Sequence, residues 1–131
     1  MAKEVYRRLA QRLDEIPNGF ASTETGAELD LLAKLFTPAE AALAVSMRLS
    51  PETPLRIADR AGGDAEEVGE TLRGMRAKGL IRVTKGESGP AYSLMPFIVG
   101  IYEEQLGRMD EEMARLFERY LVDSGGGSTA D

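Results

Sequence analysis

Two Thr-Pro steps and two glycine stops cut the middle of this chain into short, sharply bounded segments, and these constrain its fold more than any other feature. Thr37-Pro38-Ala39-Glu40 is a helix start: Thr37 can cap, Pro38 suits the first helical position, and Glu40 can reach back to the cap amide. Ala41, Leu43, Ala44, Val45, Met47 and Leu49 make the helix that follows small or apolar, and Ser50-Pro51-Glu52 ends it. Thr53-Pro54 repeats the signal. Leu55, Ile57 and Ala58 then give a short helix that stops at Gly62-Gly63. Asp64 and Glu67 open a third helix, whose Ala65, Val68, Leu72 and Met75 recur every three or four residues until Gly79 closes it.

Leu80–Thr84 then has strand composition, Lys85–Gly89 reads as a turn, and Pro90–Met95 as the returning strand. Helix, tight turn, helix and hairpin, in that order over 53–95, is the layout of a winged helix-turn-helix. The expected fold class is therefore mainly α: a winged helix-turn-helix with two N-terminal helices, a β-hairpin wing and a long C-terminal helix.

The flanks supply the extra helices. Val5, Leu9, Leu13 and Ile16 fall at helical spacing, with Tyr6 and Ala10 beside them and Lys3, Arg7, Arg8 and Arg12 on the other side. Pro17-Asn18-Gly19 stops that helix. Thr25-x-x-Glu28 is a capping-box candidate for the next, with Leu29, Leu32, Leu35 and Phe36 on one face. After Pro96, the residues Ile98, Tyr102, Leu106, Met109, Met113, Leu116 and Tyr120 recur at 4, 4, 3, 4, 3, 4. That spacing suits a docking or dimer seam on one long helix. The expected organisation is one domain over 1–122, with N-terminal helices at 3–36, a core at 37–95 and the C-terminal helix at 96–122. A linker-like, disordered Gly/Ser tail is expected over 123–131.

Composition narrows the function. The 131 residues hold no Cys and no His. Thiolate chemistry, iron–sulfur ligation and the commonest general base are therefore missing from this chain. No nucleotide-binding or nucleophile motif is present, so no enzyme, metal site or cofactor is expected on it. No apolar run nears the ~20 residues of a membrane span. The N-terminus carries no apolar signal core, and the expected location is the cytoplasm.

The net charge of −6 argues against strong nucleic-acid binding, whose affinity is dominated by phosphate neutralisation. The third helix sharpens the point. With Val68, Leu72 and Met75 inward, Glu66, Glu70, Arg73 and Ala77 face outward, flanked by Glu67 and Gly74. In the winged-helix mode the start of this helix enters the major groove. Here the start is acidic. The bland reading is that acids near its start and Arg73, Arg76 and Lys78 near its end complement the helix dipole. The wing offers only Arg82 and Lys85, offset by Glu87. The acids Glu103, Glu104, Asp110, Glu111, Glu112 and Glu118 read as the solvated side of the last helix.

The order VYRRLAQRLDEIPNGF, ETGAELDLLAKLFTPAEAALAV, winged helix, FIVGIYEEQLGRMDEEMARLFERYL is similar to the N-terminal winged-helix region of dicluster 4Fe-4S ferredoxin-type proteins of anaerobic bacteria and archaea. LFTPAEAALA and FIVGIYE are its more specific pieces, and the likeness spans about residues 4–122. In that family a cysteine-rich ferredoxin domain follows. It is absent here, so no cluster-binding residue carries over, and the expectation is a fragment of a longer protein or a gene keeping the helical module alone. The resemblance implies a non-enzymatic module whose partner is a ferredoxin domain, its redox partner or a second copy. The alternative is a winged-helix DNA-binding regulator of the MarR or ArsR kind, which the generic core fits equally.

Overall fold

The computed structural model describes residues 2–16 and 19–124, without the side chains at 2, 3 and 99. Among these residues the chain is mainly helical, with seven α-helices, one π-helical turn and a two-stranded antiparallel hairpin. Of the linker-like tail expected over 123–131, Asp123 instead ends a helix and Ser124 caps it, while 125–131 lie outside the described residues.

Helix α1 (Ala2–Glu15) buries Tyr6, Leu9 and Leu13, and packs on both α2 (Ala27–Leu35) and α3 (Pro38–Val45). Tyr6 donates from its hydroxyl to the carbonyl of Phe36 at 2.6 Å. The expected capping box at Thr25 is not formed. Thr23 takes the role instead: its hydroxyl oxygen accepts from Ala27 N at 2.9 Å while its hydroxyl and amide donate to Glu28 Oε1. Gly26 in the left-handed region moves the chain so that Thr25 points away, to Asp123. The box at Thr37 and Glu40 is formed, with both reciprocal bonds in place. Helix α3 ends at Val45, earlier than the apolar run suggests. Met47 is still buried, but Leu49 is exposed.

Helices α4 (Pro54–Ala61) and α5 (Ala65–Ala77) start as their caps predict, on Thr53 and Asp64. They pack against each other, and α5 also meets α3. Ile57, Ala58, Val68, Leu72 and Met75 go inward. At the end of α5, Leu80 N bonds to Met75 O and Gly79 N to Arg76 O, a Schellman closure that satisfies two orphan carbonyls. Two more are capped from far along the chain, Lys78 O by Gln105 Nε2 at 2.8 Å and Ala77 O by Arg108 Nη1 at 2.5 Å.

Strands β1 (Arg82–Gly86) and β2 (Gly89–Ser93) pair from Arg82↔Ser93 to Gly86↔Gly89. The hairpin therefore starts two residues later than its apolar composition suggests, and its turn is only Glu87-Ser88. Leu80 and Ile81 are apolar because they sit in the core before the ladder begins. Lys85 belongs to the strand, paired with Pro90. Beyond β2, Glu52 forms an isolated antiparallel bridge with Tyr92 through two bonds of 2.9 and 2.7 Å. Leu94 N reaches Arg48 O at 2.8 Å. The segment between α3 and α4 thus lies along the free side of β2.

The single long C-terminal helix is corrected. Residues Phe97–Tyr102 form a π-helical turn that runs into a short α6 (Glu103–Gln105), and the chain then breaks before α7 (Glu111–Asp123). Gly107 lies in the break, and Asp110 restarts the helix by accepting from Met113 N at 2.7 Å. The break lets α7 turn and pack on α2. Phe20, Phe97, Phe117 and Tyr120 meet where the ends of the chain come together, with ring centroids 4.4 Å apart for Phe20–Phe97 and 5.0 Å for Phe20–Tyr120.

Candidate interaction surface

The surface of interest is built on α4, α5 and the hairpin. Burial of Val68, Leu72 and Met75 on one side of α5 leaves Glu66, Glu67, Glu70, Arg73 and Gly74 exposed on the other, as the spacing predicts. Asp64 spends its carboxylate on the cap. Neither Glu66, Glu67 nor Glu70 makes an ion pair among the described residues, and nor does the exposed Asp59 of α4. The basic complement at the end of α5 is partly engaged, because Lys78 Nζ bonds Glu40 Oε1 at 2.6 Å across to α3.

On the hairpin, Arg82 and Lys85 are both exposed. Arg82 does not stand at the tip. It lines a cleft of about 300 Å³ with Arg76, Arg108, Glu103 and Glu104, between the end of α5 and the π-helical turn. Lys85 lies on the more open apolar side of the hairpin, with Val83 and Pro90. The two hairpin cations thus address different places.

The seam is also redrawn. Tyr120 is buried and donates to Ala21 O at 2.9 Å. Burial first, then the nearby Glu28, pushes its hydroxyl up to about 12. Ile98, Tyr102, Met109, Met113 and Leu116 are half-buried against the molecule's own core, and Leu106 alone of the seven is exposed, at 56%. The break at 106–110 divides the stripe, so Ile98 and Tyr102 pack inward from the π-helical turn and Met113, Leu116 and Tyr120 from α7. Four of the six acids beside it are ion-paired: Asp110 and Glu112 share Lys34, Glu111 meets Arg115, and Glu104 meets Arg108, while Glu103 and Glu118 make no ion pair among the described residues. No group of three metal-capable side chains occurs among the described residues. Of the N-terminal basic set, Arg7 and Arg8 are exposed, but Arg12 caps Met47 O with Nη2 at 2.9 Å.

Sequence reasoning passed over one cluster. Arg60 clasps the buried Glu52 with two guanidinium nitrogens, Nη1 at 3.0 Å from Oε2 and Nη2 on Oε1, while its Nε donates to Ser46 O at 2.7 Å. The Arg60 hydrogen bonds hold the Glu52 carboxyl below the usual carboxylate range, and Arg48 and Arg56 add to this. The bridging residue beside β2 is thereby pinned to α4. The signal was present in RLSPETPLRIADR, where three arginines surround one glutamate.

The chain matches no protein-family model, no curated protein and no solved structure against which it was compared. No helix among the described residues is long and apolar enough to cross a membrane.

Proposed function

We propose that this chain is a winged-helix module that acts by docking protein, without catalysis. The order α3, bridge, α4, α5, β1, β2 supports the winged-helix reading, with Glu52 standing as a one-residue first strand beside β2. So does the tight α4–α5 contact, where Gly69 lies under Pro54. In this fold α5 is the helix a DNA reader would insert into the major groove.

One observation carries the functional reading: the exposed start of α5 presents Glu66, Glu67 and Glu70 with no cation paired to them among the described residues. Duplex DNA carries a charge every ~1.7 Å along its axis, and bringing three carboxylates to it is repulsive. A protein surface with exposed Lys or Arg suits the same face. Taken with the resemblance to ferredoxin-associated modules, the fitting partner is a ferredoxin domain, its redox partner or a second copy of the chain, placed in the cytoplasm.

The test is a titration of labelled duplex DNA, of arbitrary sequence and from around the gene, at about 50 mM salt. The expected result is no binding at micromolar protein. Micromolar binding with a steep salt dependence overturns the docking reading in favour of a DNA-binding regulator.

A further inference from the structure

We propose that Arg48 and Arg56 form an oxyanion site for a phosphate group, at the mouth between β2 and the start of α4. This goes beyond the docking reading and does not depend on it. A cavity of about 360 Å³ opens there, lined by Arg48, Ser50, Glu52, Thr53, Arg56 and Ala91. Its one carboxylate, Glu52, is turned to Arg60, which neutralises it with two hydrogen bonds. Arg48 and Arg56 are exposed and enter no ion pair among the described residues. Arg7, Arg8, Arg73, Arg76, Arg82 and Lys85 are likewise free of ion pairs among the described residues, and what sets Arg48 and Arg56 apart is that they line one cavity whose only carboxylate is already held by Arg60. On a chain of net charge −6, the cavity holds a local surplus of two positive charges.

Both arginines stand on fixed backbone. Arg48 O accepts from Leu94 N at 2.8 Å, and Arg56 N donates to Thr53 Oγ1 at 3.3 Å. Two arginines and a serine on one lining offer more donors than one carboxylate can use. A tetrahedral dianion with three free oxygens has acceptors enough for two guanidinium groups. Small Ala91 on the facing strand leaves the mouth open. A single arginine pair is too few for a track along a nucleic acid, which needs several phosphate contacts.

The test uses the full chain and inorganic phosphate, followed by 31P NMR line broadening and by thermal melting, against chloride at matched ionic strength. The expected result is saturable broadening and a rise in Tm that chloride does not reproduce. Arg48→Gln and Arg56→Gln should each weaken phosphate binding by about tenfold, the loss of one charge-assisted pair. Arg7→Gln, on α1, should leave it unchanged. Circular dichroism confirms that each variant is folded. An equal response to chloride, or undiminished binding in both folded cavity variants, overturns the site. Two further arms fix the source of the phosphate. Phosphoserine binding lost in the same variants assigns a monoester. Duplex DNA binding lost in the same variants overturns both the single-phosphate site and the protein-docking reading above.

Discussion

Gly79 and Gly62 both close helices at positive φ, 77° and 84°, but their surroundings differ. A Cβ on Gly79 would lie 2.7 Å from Glu104 Cβ and 3.1 Å from Gln105 Nε2, whereas one on Gly62 meets nothing within 4 Å. Gly62→Ala should therefore cost only the left-handed penalty, about 1–2 kcal/mol. Gly79→Ala adds a clash with the segment that caps α5, and should cost more, roughly 3 kcal/mol. Urea midpoints of the two variants check the difference. Glu52 gives a pH signature. Its folded carboxyl titrates below its ordinary value because Arg60 holds the charged form. The stability it adds is thus present above a carboxylate's usual pKa, about 4.3, and is lost as pH falls through the lower folded value. Glu52→Gln should cost about 1–3 kcal/mol at pH 7. The gap between its Tm and that of the wild type should close as pH drops below about 4. Tyr120 has the opposite sign: with its hydroxyl raised to about 12, its contribution holds below pH ~10 and is lost as pH rises through the folded value. Tyr120→Phe should flatten that alkaline loss and cost about 1 kcal/mol at pH 7 through the Ala21 bond.

Elements whose ends are written in local chemistry were legible in the sequence. Thr37, Thr53 and Asp64 cap where their spacing says they should, because a cap needs only a side chain and an amide two or three residues away. The outward face of α5 was legible for the same reason, since period fixes rotation within one short helix. The C-terminal stripe was not. Its period runs through Leu106 and Met109 without a slip, because residues before and after the break bury toward the same core. What marks the break is Gly107 followed by Asp110-Glu111-Glu112, a stop and then an acidic start. The Arg48–Arg56 cavity was illegible because it joins the end of one helix, the start of another and a strand 35 residues beyond Arg56. The redrawn stripe has a sharp consequence. Leu106→Asp, at an exposed position, should change stability by less than about 0.5 kcal/mol and leave sedimentation unaltered. Phe117→Ala, in the aromatic cluster, should cost about 3–5 kcal/mol. A Leu106→Asp variant that sediments as a lighter species than wild type would restore a dimer seam.

At the scale of the molecule, the contacts that tie distant segments decide how it unfolds. The N-terminal helices are not an appendage on the hairpin-bearing core. Tyr6 bonds the carbonyl of Phe36, Arg12 caps the end of α3 at Met47, and α1 packs along α3. The C-terminal segment is tied as firmly: Gln105 and Arg108 cap α5, and α7 packs on α2 with Arg119 reaching Asp30 at 2.9 Å. Phe20 and Phe97 then pack as a tilted ring pair where the two flanks meet. Removing either flank would leave buried apolar surface and helix carbonyls without partners, so neither flank nor core is expected to be stable alone. The whole described chain should therefore unfold in a single cooperative step, with calorimetric and van't Hoff enthalpies that agree. Phe97→Ala tests the coupling, since its ring touches both flanks. It should lower the one transition by about 3–5 kcal/mol and not split it in two. Two resolved transitions in the wild type, with only one shifted by Phe97→Ala, would mean that the flanks form a unit of their own and that the hairpin-bearing core folds without them.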